Sequence, residues 1–463
     1  MTSTPSPASD SRAFRRRQSR GQASRERIMS EMLRLVDERG YEGATISELV
    51  RRVAFPASSI YWHFSNKDDL LAAAITHSYE SRLAAAGTWP ALPDSRELVD
   101  QLAYRLANLA GDGREADYAR IGSTLGLQRN TGAPAAREAY LNLRRHAAAA
   151  LVGWWQPVLA DLGADADPRR AEIMARLTLA TLDGRYLTGQ DITLTEEHTR
   201  VLAQILAGCA QHVATWAKLP EALAVDPLAS TDWSGHFAGR EALIKAAIEV
   251  MCDLGPHGAT VQRICEQAGL PASSLYWHFE NLDELLAEAV DAAFDTWRRD
   301  VLPGVLPQSV IADPSAALAT SLRIGFLGML HHPHAFRIGF MLLLHRGDSP
   351  ARDRFRAIRR EILGDRARWF ATWLGQGAPR GDIIRVTEET LVGQLSWALM
   401  TMADGLFMSE ATTPLWPLEE TSAIVAVGIE TVATAAGERP ATRELPSTGG
   451  PARTGADSGE DGA

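Results

Sequence analysis

The sequence predicts an all-α fold, on three observations. Apolar residues recur at three- and four-residue spacing through almost the whole chain, the period of helices that bury one face. Sustained alternation of period two, the mark of half-buried strands, is absent. The chain also repeats itself. Pro56-Ala57-Ser58-Ser59-Ile60-Tyr61-Trp62-His63-Phe64 returns as Pro271-Ala272-Ser273-Ser274-Leu275-Tyr276-Trp277-His278-Phe279, an offset of 215 residues held without a gap from Arg25/Arg240 to Ala72/Ala287. A unit this long is a domain copied within one polypeptide rather than a turn of a solenoid. At 463 residues the chain exceeds one ordinary core, and two to four domains are expected.

Residues 1–22 are rich in Ser, Pro and Arg and read as a disordered basic arm. A first head is expected over 23–72. Its first helix runs from Arg25 to Glu38 with Ile28, Met32, Leu35 and Val36 inward, and Gly40 ends it where positive φ is needed. Thr45-Ile46-Ser47-Glu48 predicts a capping box, Thr45 as N-cap and Glu48 reaching back, for a second helix to about Val53. Pro56 suits the first turn of a third helix through Phe64, and Asn66-Lys67-Asp68-Asp69 opens a fourth with Leu70 and Leu71. A helical body follows over 73–218. Pro220, Pro227 and Asp232-Trp233-Ser234-Gly235 mark a linker over 219–237. The second head, 238–287, repeats the signals at Gly255, Thr260, Pro271 and Asn281-Leu282-Asp283, with Arg263 in place of the capping acid. A second body is expected over 288–437 and a disordered tail over 438–463. The bodies correspond as well. Arg120-Ile121-Gly122 matches Arg337-Ile338-Gly339, Arg144-Arg145 matches Arg359-Arg360, Trp154 matches Trp369, and Asp183-Gly184 matches Asp404-Gly405, at offsets of 217, 215, 215 and 221. Loop lengths changed while helix order survived.

The composition, 46% hydrophobic and 22% charged, is that of a water-soluble globular chain, and no apolar run approaches a membrane span. The segment from Met1 to Asp10 lacks the apolar stretch of a secretory signal. Cys209, Cys252 and Cys265 form no CxxC pair and are expected to be buried thiols in a reducing compartment. The net charge of −10 is unevenly spread. Seven arginines stand against Asp10 and Glu26 in residues 1–30, so a locally basic arm precedes an acidic body.

On the third helix Ile60 and Phe64 share a face and can pack on Leu49 and Val53. That leaves Ser58 and Trp62 pointing away, with Ser59, Tyr61 and His63 on the flanks. Hydroxyls, an indole N–H, a phenol and an imidazole can hydrogen-bond phosphates and base edges in a major groove. Aromatic residues at helical spacing usually pack in a core, but three in succession cannot all face one. A short helix preceded by a turn and a crossing helix has helix-turn-helix geometry.

The run Gly40…Thr45…Tyr61-Trp62-His63-Phe64-Ser65-Asn66-Lys67-Asp68-Asp69-Leu70-Leu71, with its copy from Gly255 to Leu286, resembles the TetR family of transcriptional regulators. The resemblance covers about fifty residues of each half, and the Asp-Gly pairs resemble a feature of a late helix in that family's ligand-binding part. It implies a three-helix DNA-binding unit joined to a helical ligand-binding and dimerisation unit, repression relieved by a small molecule, double-stranded DNA as partner, and a bacterial cytoplasmic, nucleoid-associated setting. Carried over, Arg25, Ser58, Ser59, Tyr61, Trp62 and His63 face DNA, Lys67 meets a phosphate and Thr45 caps near the backbone. Thr260, Ser273, Ser274, Tyr276, Trp277 and His278 hold the same places in the copy.

Two departures stand out. Family members pair as homodimers, whereas two units fused in one chain can pair internally as a pseudo-dimer, with the long helices around 136–187 and 352–408 as the expected interface. A homodimer of the fused chain is the alternative. The heads also differ in charge. Residues 11–72 carry twelve Lys and Arg against eight Asp and Glu, residues 239–287 three against seven, so the nets are +4 and −4. Lys67 becomes Leu282 and Ser65 becomes Glu280. Phosphate neutralisation dominates affinity for DNA, so the second head is expected to grip less tightly or not at all. A sensor or protein-interaction module is the rival reading.

Tyr118, Trp154, Trp155, Trp369, Trp373, Trp397, Met400 and Met402 are candidates for an apolar effector pocket, against the plain alternative of core packing. His331-His332-Pro333-His334 lacks a carboxylate or cysteine at zinc-like spacing and is expected to be a loop near the pocket mouth. No metal or cofactor is expected. Gly111-Asp112-Gly113 lacks the third glycine of a dinucleotide turn, and Ser123 in Gly122-Ser123-Thr124-Leu125-Gly126 is one place off a nucleophile elbow, so no enzyme is expected.

Overall fold

The computed structural model describes residues 7–86, 97–109, 118–215, 238–305, 313–377, 389–412 and 418–438. Among them every regular element is a helix. The first half holds α1 (Pro7–Gly43), α2 (Ile46–Val53), α3 (Ala57–His63), α4 (Lys67–Ala86), α5 (Leu98–Leu109), α6 (Tyr118–Leu127), α7 (Pro134–Asp161), α8 (Pro168–Thr188) and α9 (Glu196–Thr215). In the same order follow α10 (Arg240–Leu254), α11 (Val261–Ala268), α12 (Ala272–His278), α13 (Leu282–Val305), α14 (Pro314–His331), α15 (Pro333–Leu344), α16 (Pro350–Trp373), α17 (Leu391–Thr412) and α18 (Leu418–Ala435). A single 3-10 turn, Pro256–Gly258, follows α10. The linker 219–237, residues 1–6, most of the tail and Gly111-Asp112-Gly113 lie outside the described residues.

Local chemistry sets the boundaries. Asp167, Asp313 and Ser349 each cap a helix by accepting a backbone N–H, and each precedes a proline whose missing N–H costs the first turn nothing. Gly40 (φ 68°) and Gly255 (φ 76°) adopt the left-handed φ that ends the packed part of the first helix in each half. Three boundaries differ from the expectation. The first helix begins at Pro7, because Ala, Arg and Gln propagate a helix outward from its packed turns. The head limits drawn at 72 and 287 fall inside α4 and α13, which run unbroken from head to body. Thr45 Oγ1 accepts from the Glu48 N–H at 3.2 Å, but the Glu48 carboxylate turns to Arg39, Arg51 and Arg52 rather than back to the cap, since three guanidinium groups outbid one amide.

The halves meet along helices of small residues. Helix α8 crosses α17 at Gly184 and Gly405, and α9 runs against α18 at Gly208 and Gly428. A Cβ on Gly184 would lie 2.7 Å from the Thr401 carbonyl carbon and 3.1 Å from Gly405 N, and one on Gly405 would lie 2.8 Å from Gly184 N. Glycine at these crossings lets backbone touch backbone. The Thr188 and Thr401 hydroxyls stand 3.3 Å apart, and Cys209 Sγ donates to Ile424 O at 3.4 Å. The expected interface is thus corrected. Helices α8 and α17 belong to it, but their companions are α9 and α18. Helix α7 packs within its own half, whereas α16 packs on its own half and reaches the other through Arg352, Arg356 and Arg359, which meet Gln190 and Asp191 just after α8.

Candidate nucleic-acid interface and effector cavity

In the first head α1, α2, α3 and α4 pack about Ile28, Met32, Leu49, Val53, Ile60 and Phe64, all buried. Burial of Ile60 and Phe64 fixes the rotation of α3. Ser58 is exposed, Ser59 and His63 are half-buried, and Tyr61 and Trp62 stand in water, Trp62 with 80% of its surface open. An indole left so exposed on a helix anchored by its opposite face has no role in the chain's own packing. The second head does the same. Leu275 and Phe279 are buried, Ser274 is half-buried, and Ser273, Tyr276, Trp277 (87% open) and His278 are exposed. Thr45 and Thr260 are exposed N-caps, Thr260 Oγ1 accepting from Arg263 N at 3.4 Å.

The flanking groups diverge from the expectation. Arg25 is half-buried, its guanidinium 5.2 Å over the Phe64 ring. Lys67 Nζ donates to Tyr41 O at 2.9 Å and sits 3.7 Å over the Tyr41 ring, so it ties α4 to α1 rather than reaching freely outward. Burial holds its pKa below the ordinary lysine value despite Glu42 and Asp68 nearby. Partial burial, helped by Arg25, lowers the pKa of His63, which favours the neutral ring as donor or acceptor.

The heads are tied across the halves. The segment after α6 docks on the end of α10: Gln128 Nε2 donates to Leu254 O at 2.8 Å, Arg129 N to Cys252 O at 3.0 Å, and Arg129 Nε pairs with Asp253 at 2.7 Å. On the other side Arg346, following α15, pairs with Asp37 of α1 at 2.6 Å. Sequence reading missed this seam, because its partners lie more than a hundred residues apart with no motif linking them.

A cavity of about 190 Å³ opens in the first body between α4, α5, α6, α7 and α8. Tyr79, Tyr118, Tyr140 and Tyr186 line it with several leucines and alanines. Along one wall Ser123 Oγ and Tyr140 OH stand 2.9 Å apart, and Arg144 donates to both Asp183 oxygens at 2.7 and 2.6 Å. Burial opposes the Arg144 charge, but Asp183 and Tyr140 more than restore it, and its pKa lies above the ordinary arginine value. The matching Arg359 donates to Asp404 at 2.6 Å, so the repeated Arg and Asp-Gly residues are buried ion pairs.

Of the predicted pocket residues only Tyr118 lines this cavity. Trp155 is buried in the core and donates to Thr178 Oγ1 at 3.0 Å. Trp154 lies beneath Arg105, and Trp369 stacks on Trp373, which donates to Pro314 O. Trp397 stacks on His198 across the halves, and Met400 and Met402 are buried. These large side chains fill space rather than enclose it, as most buried aromatics do. Tyrosines at 79, 140 and 186 were missed; only Tyr186, one helical turn after Asp183, carried a local signal. The histidine run is the α14–α15 junction, not a pocket mouth: His332 is 3.6 Å from Asp300 and His334 is 3.4 Å from Arg129 at the seam. Among the described residues no three His, Cys, Asp or Glu side chains gather as a metal would need. The three cysteines are buried, and burial pushes Cys209 and Cys252 up to about 12.

Residues 28–74 and 236–289 match the profile of the bacterial regulatory proteins of the tetR family. The class C tetracycline repressor protein of Escherichia coli is 42% identical over 53 residues, which are 11% of this chain and 24% of that protein. A transcriptional regulator from Rhodococcus sp. Rha1 superposes with a TM-score of 0.32 and 20% identity, over 43% of this chain and 98% of that one. The first matched segment covers the N-terminal helix-turn-helix domain from within α1 into α4, and the second runs through α10, α11 and α12 into the start of α13.

Proposed function

We propose that the chain is a DNA-binding transcriptional regulator acting as a one-chain pseudo-dimer. Its two heads read the halves of a near-palindromic duplex site, and a small apolar effector in the first body releases it. One observation carries this reading: the same exposed Ser, Tyr and Trp edge, with a His beside it, recurs on α3 and α12, each anchored by a buried aliphatic and a buried phenylalanine. These groups suit phosphate and base-edge contacts in a major groove. The Gly184–Gly405 crossing and the Arg129 and Arg346 pairs hold the heads in one frame, as two half-sites about 34–36 Å apart require. Helix α6 supplies a route for release. Its first turns line the cavity and the segment after it grips α10, so a filled cavity displaces one head relative to the other.

Selection of duplexes from a random pool by the full-length chain tests the reading. Two inverted half-sites are expected, with a solution mass of one chain. No preference for any duplex over a polyanion such as heparin at physiological salt would end it, and a mass of two chains at low concentration would end the internal pairing. The acidity of the second head favours a second reading, in which α12 contacts protein or nothing. A selected site with a single half would favour that one.

A further inference from the structure

The two bodies are not equivalent as receptors. The helix correspondences pair Tyr79 with Phe294, Arg82 with Trp297, Ala119 with Phe336, Ser123 with Phe340, Tyr140 with Phe355 and Tyr186 with Phe407. The packing bears out the register: a Cβ on Gly122 would strike the Tyr140 ring, and one on Gly339 would strike the Phe355 ring. In the first body the left-hand members of these pairs line the open cavity. In the second body the right-hand members fill the same place. Phe294 and Phe355 lie 5.3 Å apart, as do Phe294 and Phe336; Trp297 is 5.4 Å from Phe336, and Phe407 is 5.6 Å from both Phe336 and Phe340. All six rings are buried, at the centroid spacing of a packed aromatic core. Ala119 and Ser123 leave the room that Phe336 and Phe340 occupy.

We propose that the chain carries a single effector site, in the first body only, and that its ligand is a flat, neutral aromatic molecule bearing a hydrogen-bond acceptor such as a carbonyl. This rests on the reading of the chain as an effector-controlled regulator. Tyrosine rings and leucines supply an apolar slot for a planar molecule. Asp183 already takes both Nη groups of Arg144, and the Arg82 guanidinium lies 6.0 Å over the Tyr118 ring, so the charged groups of the lining are already engaged and a neutral ligand fits best. Arg144 Nε is buried without a hydrogen-bond partner, and an acceptor on the ligand would satisfy it. Asp183 adjoins Gly184, and Ser409 of α17 is 3.5 Å from its carboxylate, so a ligand here sits directly behind the crossing of the two halves. One ligand thus acts on both heads.

Fluorescence titration of the full-length chain with prodan, a neutral naphthalene ketone, tests this. One saturable site per chain is expected. Ala119→Phe and Ser123→Phe, which copy the second-body filling, should weaken binding about tenfold or more. Phe336→Ala combined with Phe340→Ser should open a second site. Circular dichroism establishes that each variant is folded, and the stoichiometry of the parent chain is decisive without them. Two equivalent sites per parent chain, no saturable binding, or unaltered binding by folded Ala119→Phe overturns the proposal. DNA capture is scored on the same samples: prodan binding at one site without DNA capture sinks the regulatory reading and leaves the one-sided site standing.

Discussion

Gly184→Ala is the smallest change that probes the joining of the halves. The added carbon would overlap the Thr401 carbonyl oxygen and lie 2.7 Å from its carbon, where non-bonded carbons rest at about 3.5–4.0 Å. Both groups belong to helix backbone, so no side-chain rotation relieves the clash, and α8 must move from α17 by about 1 Å or more to clear the oxygen. A shift of that size forfeits about half or more of the dispersion energy of each contact along the crossing. With no soft neighbour to yield, the cost falls at the upper end of overpacking, about 3 kcal/mol. A domain-sized cooperative unit then melts roughly 6–12 °C lower. Gly405→Ala should cost about the same. The double variant should cost clearly less than the sum, since once the helices part both carbons fit. Differential scanning calorimetry across a range of protein concentrations reads all three. The parent Tm should not depend on concentration, because both faces of the crossing belong to one chain. Single variants melting within about 1 °C of the parent, or strictly additive losses, would refute the backbone contact.

Trp62→Ala and Trp277→Ala remove side chains that are almost wholly in water, so Tm should hold while affinity for the selected duplex falls by about 1–3 kcal/mol for each head that reads, measured by fluorescence anisotropy. A Trp277 variant that binds like the parent would assign reading to the first head alone. Removing residues 1–22 deletes Arg12, Arg15, Arg16, Arg17 and Arg20, and should flatten the slope of log affinity against log salt by up to about 4; an unchanged slope would take the arm out of the interface. His345 is pushed down to about 4, chiefly by burial, with His257 and Arg352 adding to it. The unfolded chain therefore binds this proton first, and the stability present above about pH 6.5 is lost as pH falls toward 4, by about 1–2 kcal/mol after solvent screening. His345→Gln should flatten that part of the melting profile, and an unchanged slope between pH 6.5 and 4.5 would place the titration elsewhere.

The helices and the reading edge were legible in the sequence because they depend on near neighbours. Ile60 and Phe64 set the rotation of α3 from their spacing alone, which leaves Ser58, Tyr61 and Trp62 outward wherever the head is placed. Thr45, Gly40 and Gly255 marked boundaries through local φ and capping. The repeat also announced that the second half builds the helix order of the first. What lay beyond sequence was every relation between distant segments. Whether Trp155 or Tyr140 faces a cavity depends on what stands opposite, and alanine or phenylalanine at one α6 or α15 position decides between open space and filled core. That Lys67 bends to Tyr41, that Arg144 meets Asp183, and that Gly184 lets α8 close on α17 are outcomes of three-dimensional proximity. Periodicity carries the direction of a side chain, but its partner is known only once the helices have packed.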